Sequence, residues 1–519
     1  MNFFFRTNFN KKIGLGHLFR VLRIYNELKK KYNCKIFIDN YDSSISHIAK
    51  KSIFQELYKN SNFKNQITDA KIFFKKIKNY KKSIIINDDY RLDKNWEEYL
   101  SKKNYKIVTI DDLNSRNRFS DIIVNYDSQY LETKKFNFNL NKKKNCKYLL
   151  GPKYCILPKI KKKIKKNKKK NYFSITINIG GSGDLKIISK LLNKILFYGK
   201  NKKIKINVVI GPLSKNKNLI LRAANKNKNI IPIKDSKDLI DIYRKTDLFV
   251  GAAGTSVFET SLVGLPSVLI SMSHNQDTDI FSLENIGHYF FLKKKDLNNS
   301  TKISKFILLL ISNYKRISQL AKYSKFKVDT LGVNRIIDQI LSKKKLNIKN
   351  FIKNKNLKKS NNLSIKNIDD KEINYYLKTK NLNINLNHST YPKKVSTLDH
   401  YLWWFASNRK SYVLIKNNKK VLYFYEQKVF KIKNESYYLS GWYACSKECG
   451  IKEILHALNW QRNMSKNYNW VSFIKKNNKL SIYLSKYLGW KEMSANELAL
   501  QKLKLNFNIK NNNYIFYKR

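Results

Sequence analysis

Cysteine, proline and glycine are scarce in this sequence, with 5, 6 and 16 residues among 519. The cysteines (Cys34, Cys146, Cys155, Cys445 and Cys449) are scattered and odd in number, which argues against a disulfide framework and for a reducing compartment. Cys445 and Cys449 have no second Cys or His pair at metal spacing, which argues against a zinc site. We therefore expect no bound metal.

Long uninterrupted apolar runs are also missing. The longest apolar stretch, residues 248–272, contains Glu259, Pro266 and several glycines, and is typical of a buried strand, loop and helix. No charged segment followed by an apolar run opens the chain. These observations predict a cytoplasmic protein without stable membrane insertion.

Acidic residues are few: 37 Asp and Glu face 105 Lys and Arg, a net charge of +68. Such a charge usually indicates a nucleic acid or an anionic membrane as partner. However, abundant Lys, Asn, Ile, Tyr and Phe also result from an AT-rich coding sequence. The 42% hydrophobic content excludes a disordered polycation. We expect no nucleic-acid partner, and keep a basic polyanion-binding protein as an alternative.

Short apolar runs alternate with helical patterns, among them a helix predicted from His17 to Lys31 and strands predicted at Ser83 to Asn87, Lys106 to Ile110 and Asp121 to Val124. This alternation predicts βαβ units and parallel sheets in an α/β protein. We predict two doubly wound Rossmann-type domains, residues 1–157 and 172–341, separated by a basic stretch from Pro158 to Asn171. A Lys- and Asn-rich linker follows at 342–362, without periodicity. Residues 363–519 then change to an α+β pattern. The chain length agrees with two to four domains.

The first motif lies between the first strand and the first helix, at Gly14-Leu15-Gly16-His17 with Arg20 one turn later. Two glycines let the backbone approach a ligand, and a helix N-terminus offers unpaired N–H groups to an anion. His17 is then placed at the carboxyl end of the sheet, where such folds bind ligands. The alternative is a histidine that caps the helix.

A second set of motifs predicts a diphosphate cradle. Gly180-Gly181-Ser182-Gly183 follows a strand, and Gly254-Thr255-Ser256 lies between a strand and a helix. Glu259, one turn on, is placed to accept hydrogen bonds from ribose hydroxyls, or alternatively to close a capping box in its own helix.

These segments, with Asp88-Asp89-Tyr90-Arg91, Asp111-Asp112-Leu113 and Gly151-Pro152-Lys153, resemble the UDP-2,4-diacetamido-2,4,6-trideoxy-beta-L-altropyranose hydrolases of pseudaminic acid biosynthesis. The resemblance covers residues 1 to about 340 and implies a GT-B-like fold. It implies that water attacks the anomeric carbon with inversion, that His17 is catalytic, and that Tyr90 and Asn275 line the substrate site. From the motifs themselves we predict that the hydrolase needs no cofactor. The full set of predicted substrate-binding residues is Gly14, Gly16, Arg20, Tyr90, Gly181, Ser182, Gly254, Thr255, Ser256, Glu259, Asn275 and Gln276.

Two features leave alternatives open. The segment from Asp247 to Glu259 is similar to GT-B glycosyltransferases in general, so a UDP-sugar glycosyltransferase is the first alternative. The hydrolase family often has Asp where Asn8 stands here. Losing that carboxylate would weaken sugar recognition or the polarisation of His17.

The third module resembles GNAT N-acetyltransferases, through the His400-to-Phe405 helix and the segment from Asn478 to Trp490. The resemblance implies acetyl-CoA contacts at Gly450, Ile451 and Asn478. Lys452 replaces a small residue of the family loop and Ser485 an acid tyrosine, so a degenerate module is the alternative. We interpret Trp403 and Trp404 as core packing, with a ligand stack as the alternative.

The two resemblances together predict a UDP-sugar hydrolase in nonulosonic acid synthesis for surface glycans. The family's substrate carries a 4-acetamido group. A fused acetyltransferase would supply that group by acetylating the 4-amino sugar, by pathway analogy.

Overall fold

The structure is a computed structural model that describes residues 1–9, 14–46, 48–58, 62–131, 135–160, 170–234, 239–342, 363–389, 392–509 and 513–519. It divides into two compact units, residues 1–351 and 352–519. The predicted linker lies outside the described residues except for Ser342, and so does most of the basic stretch that starts at Pro158.

The first half of the first unit is a parallel sheet in the order β3-β2-β1-β4-β5-β6-β7. Its strands are almost continuously apolar and buried, as expected of a sheet covered on both faces. The strands are β1 (Asn2–Thr7), β2 (Asn33–Ile38), β3 (Phe54–Glu56), β4 (Ser83–Asp88), β5 (Lys106–Ile110), β6 (Ile122–Asn125) and β7 (Lys147–Leu150). The helices are α1 (Gly16–Leu28), α2 (Gln66–Ile77) and α3 (Lys94–Ser101).

The second half is also a parallel sheet, in the order β10-β9-β8-β11-β12-β13. The strands are β8 (Phe173–Asn178), β9 (Ile204–Val209), β10 (Ile230–Ile233), β11 (Leu248–Ala252), β12 (Ser267–Ser271) and β13 (Phe290–Lys293). The helices are α4 (Lys186–Tyr198), α5 (Lys217–Lys226), α6 (Ile240–Arg244), α7 (Ser256–Leu262), α8 (Ile280–Glu284), α9 (Ser300–Ser312), α10 (Tyr314–Leu320) and α11 (Gly332–Leu341). Both orders reverse direction at the first strand of the half, which creates a crevice at the carboxyl ends.

The last helix of this unit, α11, packs against α1 of the first half. The Lys106 ammonium donates to the Ile340 carbonyl at 2.8 Å, and Arg335 donates to the Lys153 carbonyl at 2.8 Å. A Cβ atom on Gly332 would lie 2.0 Å from the Cys155 carbonyl oxygen, so the helix start needs glycine. The predicted GT-B-like pair of Rossmann-type domains is confirmed, and its second half returns to complete the first.

The second unit is a mixed sheet in the order β14-β15-β16-β17-β18-β20-β19. The strands are β14 (Leu363–Asn367), β15 (Lys410–Lys416), β16 (Lys419–Ile432), β17 (Glu435–Ala444), β18 (Asn469–Lys475), β19 (Lys491–Glu492) and β20 (Tyr514–Lys518). The helices are α12 (Ile373–Lys380), α13 (Asn383–Leu386), α14 (Thr397–Ala406), α15 (Ile451–Met464), α16 (Lys479–Tyr487) and α17 (Leu498–Asn506).

The parallel pair β17 and β18 is joined at residues 437–439 and 469–471 only. Beyond this point β17 pairs with β16 alone and β18 with β20. The mixed sheet and this separation are compatible with the predicted GNAT-like module. In the part of the chain that the structure describes, no helix is both long and apolar enough to cross a bilayer.

Candidate functional site

The two halves of the first unit enclose a cleft of about 1090 Å³ at the carboxyl ends of their sheets. Loops that follow β1, β4, β5 and β6 line one side, and loops that follow β8, β9, β11 and β12 line the other. All the predicted substrate-binding residues line this cleft except Asn275, whose side chain lies outside the described part of the structure. Their roles there stay predictions.

His17 forms a buried pair with a carboxylate that the sequence reasoning did not assign to the site. Its Nδ1 atom lies 2.6 Å from Asp88 Oδ1, and Asp88 has no solvent exposure. Asp88 ends β4, the strand beside β1, so the topology places it next to the start of α1. The alternative of a helix-capping histidine is wrong, because α1 has no side-chain cap at its start.

Arg20 holds the same carboxylate from the other side. Its Nε and Nη2 atoms donate to Asp88 at 2.9 and 2.6 Å. Burial alone would raise the pKa of Asp88, but the Arg20 charge and the hydrogen bonds from His17 and Arg20 hold it below its ordinary value. Asp88 is therefore an ionised acceptor at neutral pH.

This ionised acceptor sets the tautomer of His17. A 2.6 Å contact between Nδ1 and a carboxylate oxygen requires the proton on Nδ1, so Nδ1–H donates to Asp88. Arg20 Nη2 also lies 2.8 Å from Nδ1, because both groups converge on the same oxygen. Nε2 then carries a free lone pair, and no hydrogen bond joins it to the residues that the structure describes. His17 can accept a proton from a group in the cleft.

Arg20 also connects His17 to a second carboxylate, Asp112. Arg20 Nη1 donates to Asp112 and, at 3.0 Å, to the Tyr126 hydroxyl. The Tyr90 hydroxyl donates to Asp112 at 2.9 Å, and the Tyr90 ring stands edge-on to the His17 ring with centroids 4.3 Å apart. The predicted residues His17, Arg20 and Tyr90 are thus brought together by Asp88 and Asp112.

The two glycine-rich turns meet across the cleft. Gly14 has φ +82°, a region open to glycine, and a Cβ atom there would lie 3.5 Å from Ser182 Oγ. A Cβ atom on Gly181 would press against Leu15 at 3.2 Å. Gly14 is therefore needed for its backbone conformation and Gly181 for the close approach of the halves, whereas a Cβ atom on Gly16 would meet no other residue within 4 Å.

On the opposite side, α7 begins at Ser256 after Thr255, as predicted. Val257 N donates to the Gly254 carbonyl, which closes the first turn, and the turn lines the cleft. Gln276 packs beside it, its Oε1 accepting from Met272 N at 3.0 Å. Backbone N–H groups at such a turn favour an anionic ligand.

Glu259 has a partner that the sequence reasoning did not foresee. Its Oε1 accepts from Arg23 Nη2 at 2.9 Å, across the two halves. The capping-box alternative is wrong, since Thr255 makes no side-chain cap. The ribose contact of Glu259 stays a prediction.

Asp127 is a further residue that sequence reasoning missed. It follows β6, lines the cleft, and accepts from the Gln129 backbone at 2.9 Å. Burial raises the pKa of Asp127, and the Asp112 charge raises it further. The signal for Asp88, Asp112 and Asp127 was available, because each follows or ends a predicted strand.

Two of the three predicted acetyl-CoA contacts of the second unit already have hydrogen-bond partners within the chain, and all three stay predictions. Gly450 precedes α15, but its N–H donates to Glu453 Oε2 at 3.0 Å, and Glu453 pairs with Lys416 at 2.7 Å. A carboxylate thus already occupies the donor that a pyrophosphate would need. Asn478 caps α16 by accepting from Ser481 N at 3.2 Å, and Ile451 is half exposed. This arrangement favours the degenerate module.

Comparison with known proteins gives a family similarity for the second half of the first unit. Residues 176–340 match the model of the glycosyltransferase family 28 C-terminal domain. The chain is similar to an uncharacterized protein of Methanocaldococcus jannaschii, with 28% identity over 281 residues. That match covers 52% of this chain and 55% of the relative, so the chain spans about half the length of that protein.

Two further comparisons each cover close to two thirds of the chain. The spore coat polysaccharide biosynthesis protein SpsG of Bacillus subtilis is 21% identical over 328 residues, 62% of this chain and 93% of that protein. The crystal structure of Acinetobacter baumannii MurG has a TM-score of 0.47 and 11% identity, and covers 66% of this chain and 99% of that chain.

Proposed function

We propose that the first unit hydrolyses a UDP-linked 2,4-diacetamido-2,4,6-trideoxy sugar to the free sugar and UDP, in the synthesis of a nonulosonic acid such as pseudaminic acid. The observation that carries the proposal is the His17–Asp88 pair on the cleft, which leaves Nε2 as a proton acceptor. The match of residues 176–340 to a glycosyltransferase domain supports a nucleotide-sugar substrate.

In this reaction a water oxygen bonds to the anomeric carbon while the bond from that carbon to the diphosphate oxygen breaks. UDP leaves with the electron pair, and the proton of the water passes to His17 Nε2. Asp88 stabilises the resulting imidazolium by its charge and its hydrogen bond. Attack from the face opposite the leaving group inverts the configuration at the anomeric carbon.

The residues around the cleft divide these tasks between the halves. The His17 side supplies the proton acceptor, while the turn at Gly254 to Ser256 supplies N–H groups for the diphosphate. Tyr90 lies against the His17 ring, where a sugar would contact both. None of these steps uses a metal or cofactor.

The test is UDP release from a panel of UDP-linked diacetamido sugars by the full chain in oxygen-18-labelled water, with no other acceptor. We expect the label in the sugar, and an H17Q variant about a thousandfold slower with unchanged UDP affinity. Arg222→Gln, on α5, is the matched control, since that residue does not line the cleft.

Two outcomes would replace the proposal. A folded protein that binds UDP but releases none until an acceptor sugar is added would be a glycosyltransferase. A protein that binds any polyanion with steep salt dependence, and UDP-sugars no better than phosphate, would be the basic polyanion binder.

A further inference from the structure

The second unit contains a cluster of cations and aromatic rings that the proposed function does not use. Arg409, between α14 and β15, lies with its Cζ atom 3.7 Å from the centre of the Tyr425 ring and 4.9 Å from that of Trp403. Lys380, the last residue of α12, lies with Nζ 5.8 Å from the Trp403 ring and 5.9 Å from the Tyr443 ring. We call Lys380, Trp403, Arg409, Tyr425 and Tyr443 the cation–aromatic cluster.

Neither cation of the cluster has an acidic partner among the described residues. Arg409 donates from Nε and Nη2 to a neutral group, the Gln427 amide oxygen, at 3.1 and 2.9 Å. Lys380 forms no ion pair there, whereas other lysines of the unit, such as Lys416 and Lys420, pair with glutamates at 2.7 and 2.6 Å. Burial lowers the pKa of Lys380, and the Arg409 charge lowers it further. Two neighbouring cations without a counter-charge are destabilising unless an anion joins them.

Tyrosine hydroxyls complete the set of donors around Arg409. The Arg409 guanidinium interacts electrostatically with the hydroxyls of Tyr425, Tyr376 and Tyr443. Tyr376 is fully buried, and its hydroxyl oxygen is the acceptor of an interaction with the donor-only Arg409 guanidinium. No described residue accepts the hydroxyl proton. A buried hydroxyl proton without an acceptor is costly, and an oxyanion would accept it.

The backbone makes room for this arrangement. Gly441 of β17 stands directly opposite Tyr425 of β16, and a Cβ atom on Gly441 would lie 2.4 Å from the Tyr425 hydroxyl. Any other residue there would displace the Tyr425 side chain. The Tyr425 and Tyr443 rings stack at 5.9 Å and 28°. Four elements of the unit, α12, α14, β16 and β17, therefore bring hydrogen-bond donors and aromatic rings together at one place.

We propose that the cation–aromatic cluster binds the oxyanion of a small ligand, a phosphate or carboxylate group, between Lys380 and Arg409. The anion supplies the missing counter-charge, and the Tyr376 hydroxyl donates to it. Trp403 and the paired tyrosines form walls for a planar part of the ligand. This site is independent of the hydrolysis proposed for the first unit.

Crystals of the full chain soaked in tungstate or 4-bromobenzoate locate the two kinds of oxyanion by anomalous scattering. We expect a peak in contact with both Lys380 and Arg409. A tungstate peak identifies a phosphate-type site, and a bromine peak with its carboxylate at the cations identifies a carboxylate site. Peaks with either probe elsewhere only, or no peak, overturn the proposal.

Calorimetry with the same probes tests the residues in solution. We expect R409Q and K380Q each to weaken binding at least tenfold. The matched control is K378Q, which removes an exposed charge from the same helix and should leave affinity within twofold. Equal weakening by K380Q and K378Q would indicate general attraction to a basic chain and would overturn the site.

A stability measurement separates a binding site from core packing. Without added anion, K380Q should unfold at or above the temperature of the parent, since it relieves repulsion from Arg409. With saturating probe, the parent should gain stability and K380Q should not. A K380Q variant that is less stable and indifferent to the probe would make Lys380 a packing residue only. This test compares only the parent and K380Q, so it can be interpreted even if R409Q fails to fold.

Discussion

The buried arginines of the first unit and the partly buried Arg409 of the second unit differ in how their charge is balanced. In the first unit, each of three arginines that are at most 4% exposed pairs with at least two carboxylates: Arg6 with Asp39, Asp69 and Asp89, Arg20 with Asp88 and Asp112, and Arg118 with Glu97 and Asp111. In the second unit, Arg409 has an amide and aromatic rings instead.

The difference distinguishes arginines that carboxylates of the chain neutralise from an arginine that, in our proposal, a bound anion neutralises. Acidic residues are few in this chain, so their placement around Arg6, Arg20 and Arg118 is selective. Arg20 is fixed before any substrate arrives, and its carboxylates orient His17. Where the chain supplies no acid, an anion from solution can complete the balance.

We expect the largest loss of stability when a buried arginine loses one of the carboxylates that neutralise it. Asp69 accepts from Arg6 at 2.6 Å, from Tyr58 at 2.9 Å and from the Trp96 indole at 2.8 Å, all away from solvent. D69N removes a fully buried charge to which Arg6, Tyr58 and Trp96 all donate, and we expect a loss of about 3 kcal/mol or more in unfolding free energy. Urea unfolding measures it.

The control for D69N is D241N, whose carboxylate is 75% exposed and pairs with Arg244 on the surface. We expect D241N to lower the unfolding free energy by less than about 0.5 kcal/mol. Equal losses in the two variants would remove the distinction between balanced and surface arginines.

The next effect concerns the orientation of His17. D88N cannot accept the Nδ1 proton in the same way, so the ring loses its preferred tautomer. We expect UDP release to slow about a hundredfold with little change in KM. The pH profile of the variant should also shift, because Asp88 no longer stabilises the imidazolium. Wild-type turnover in D88N would show that His17 needs no orienting carboxylate.

Acid should destabilise the first unit around His17. The pKa of Asp88 and that of Asp89 lie below the ordinary value, since arginine charges outweigh the effect of burial. Their contribution to stability is therefore present above the unfolded pKa of about 3.9, and is lost as pH falls through the folded pKa. Hydrogen exchange between pH 6 and 2 should show the first unit opening below about pH 4. A transition of the strands around His17 near pH 6 would contradict this assignment.

The smallest effect is expected at α15. Acetyl-CoA should show no binding to the parent chain in calorimetry, because Glu453 occupies the Gly450 N–H. E453Q removes the negative charge and should improve affinity a few-fold at most. Glu448→Gln, in the preceding turn, provides a matched control. Tight binding by the parent would restore the acetyltransferase reading of this unit.

Most strands and helices could be predicted from apolar periodicity. The predicted strand from Lys106 to Ile110 coincides with β5, and the helix predicted from His17 to Lys31 ends three residues early, at Leu28. Short edge strands such as β3, β13 and β19 were missed, because two to four residues carry little periodic signal.

The site was less predictable than the fold. Glycine and histidine motifs identified His17 and Gly14, because those residue types are unusual at such positions. The partner of Glu259, Arg23, lies 236 residues away, so no local pattern could reveal it. The same holds for Glu453, whose helical position looked ordinary until its carboxylate was seen at Gly450.

The return of α11 to the first half has a consequence for the history of such a gene. The helix is encoded after every strand of the second sheet, yet it covers α1 and bonds to Lys106 and Lys153. A recombination event that exchanged only the segment from β8 to β13 would keep the contacts of α11 with the first half. An exchange that extended through residue 341 would instead pack the α11 of another protein against the first half. Substrate specificity can therefore be exchanged between relatives most easily by replacing the segment from β8 to β13. The first half and α11 are then inherited together.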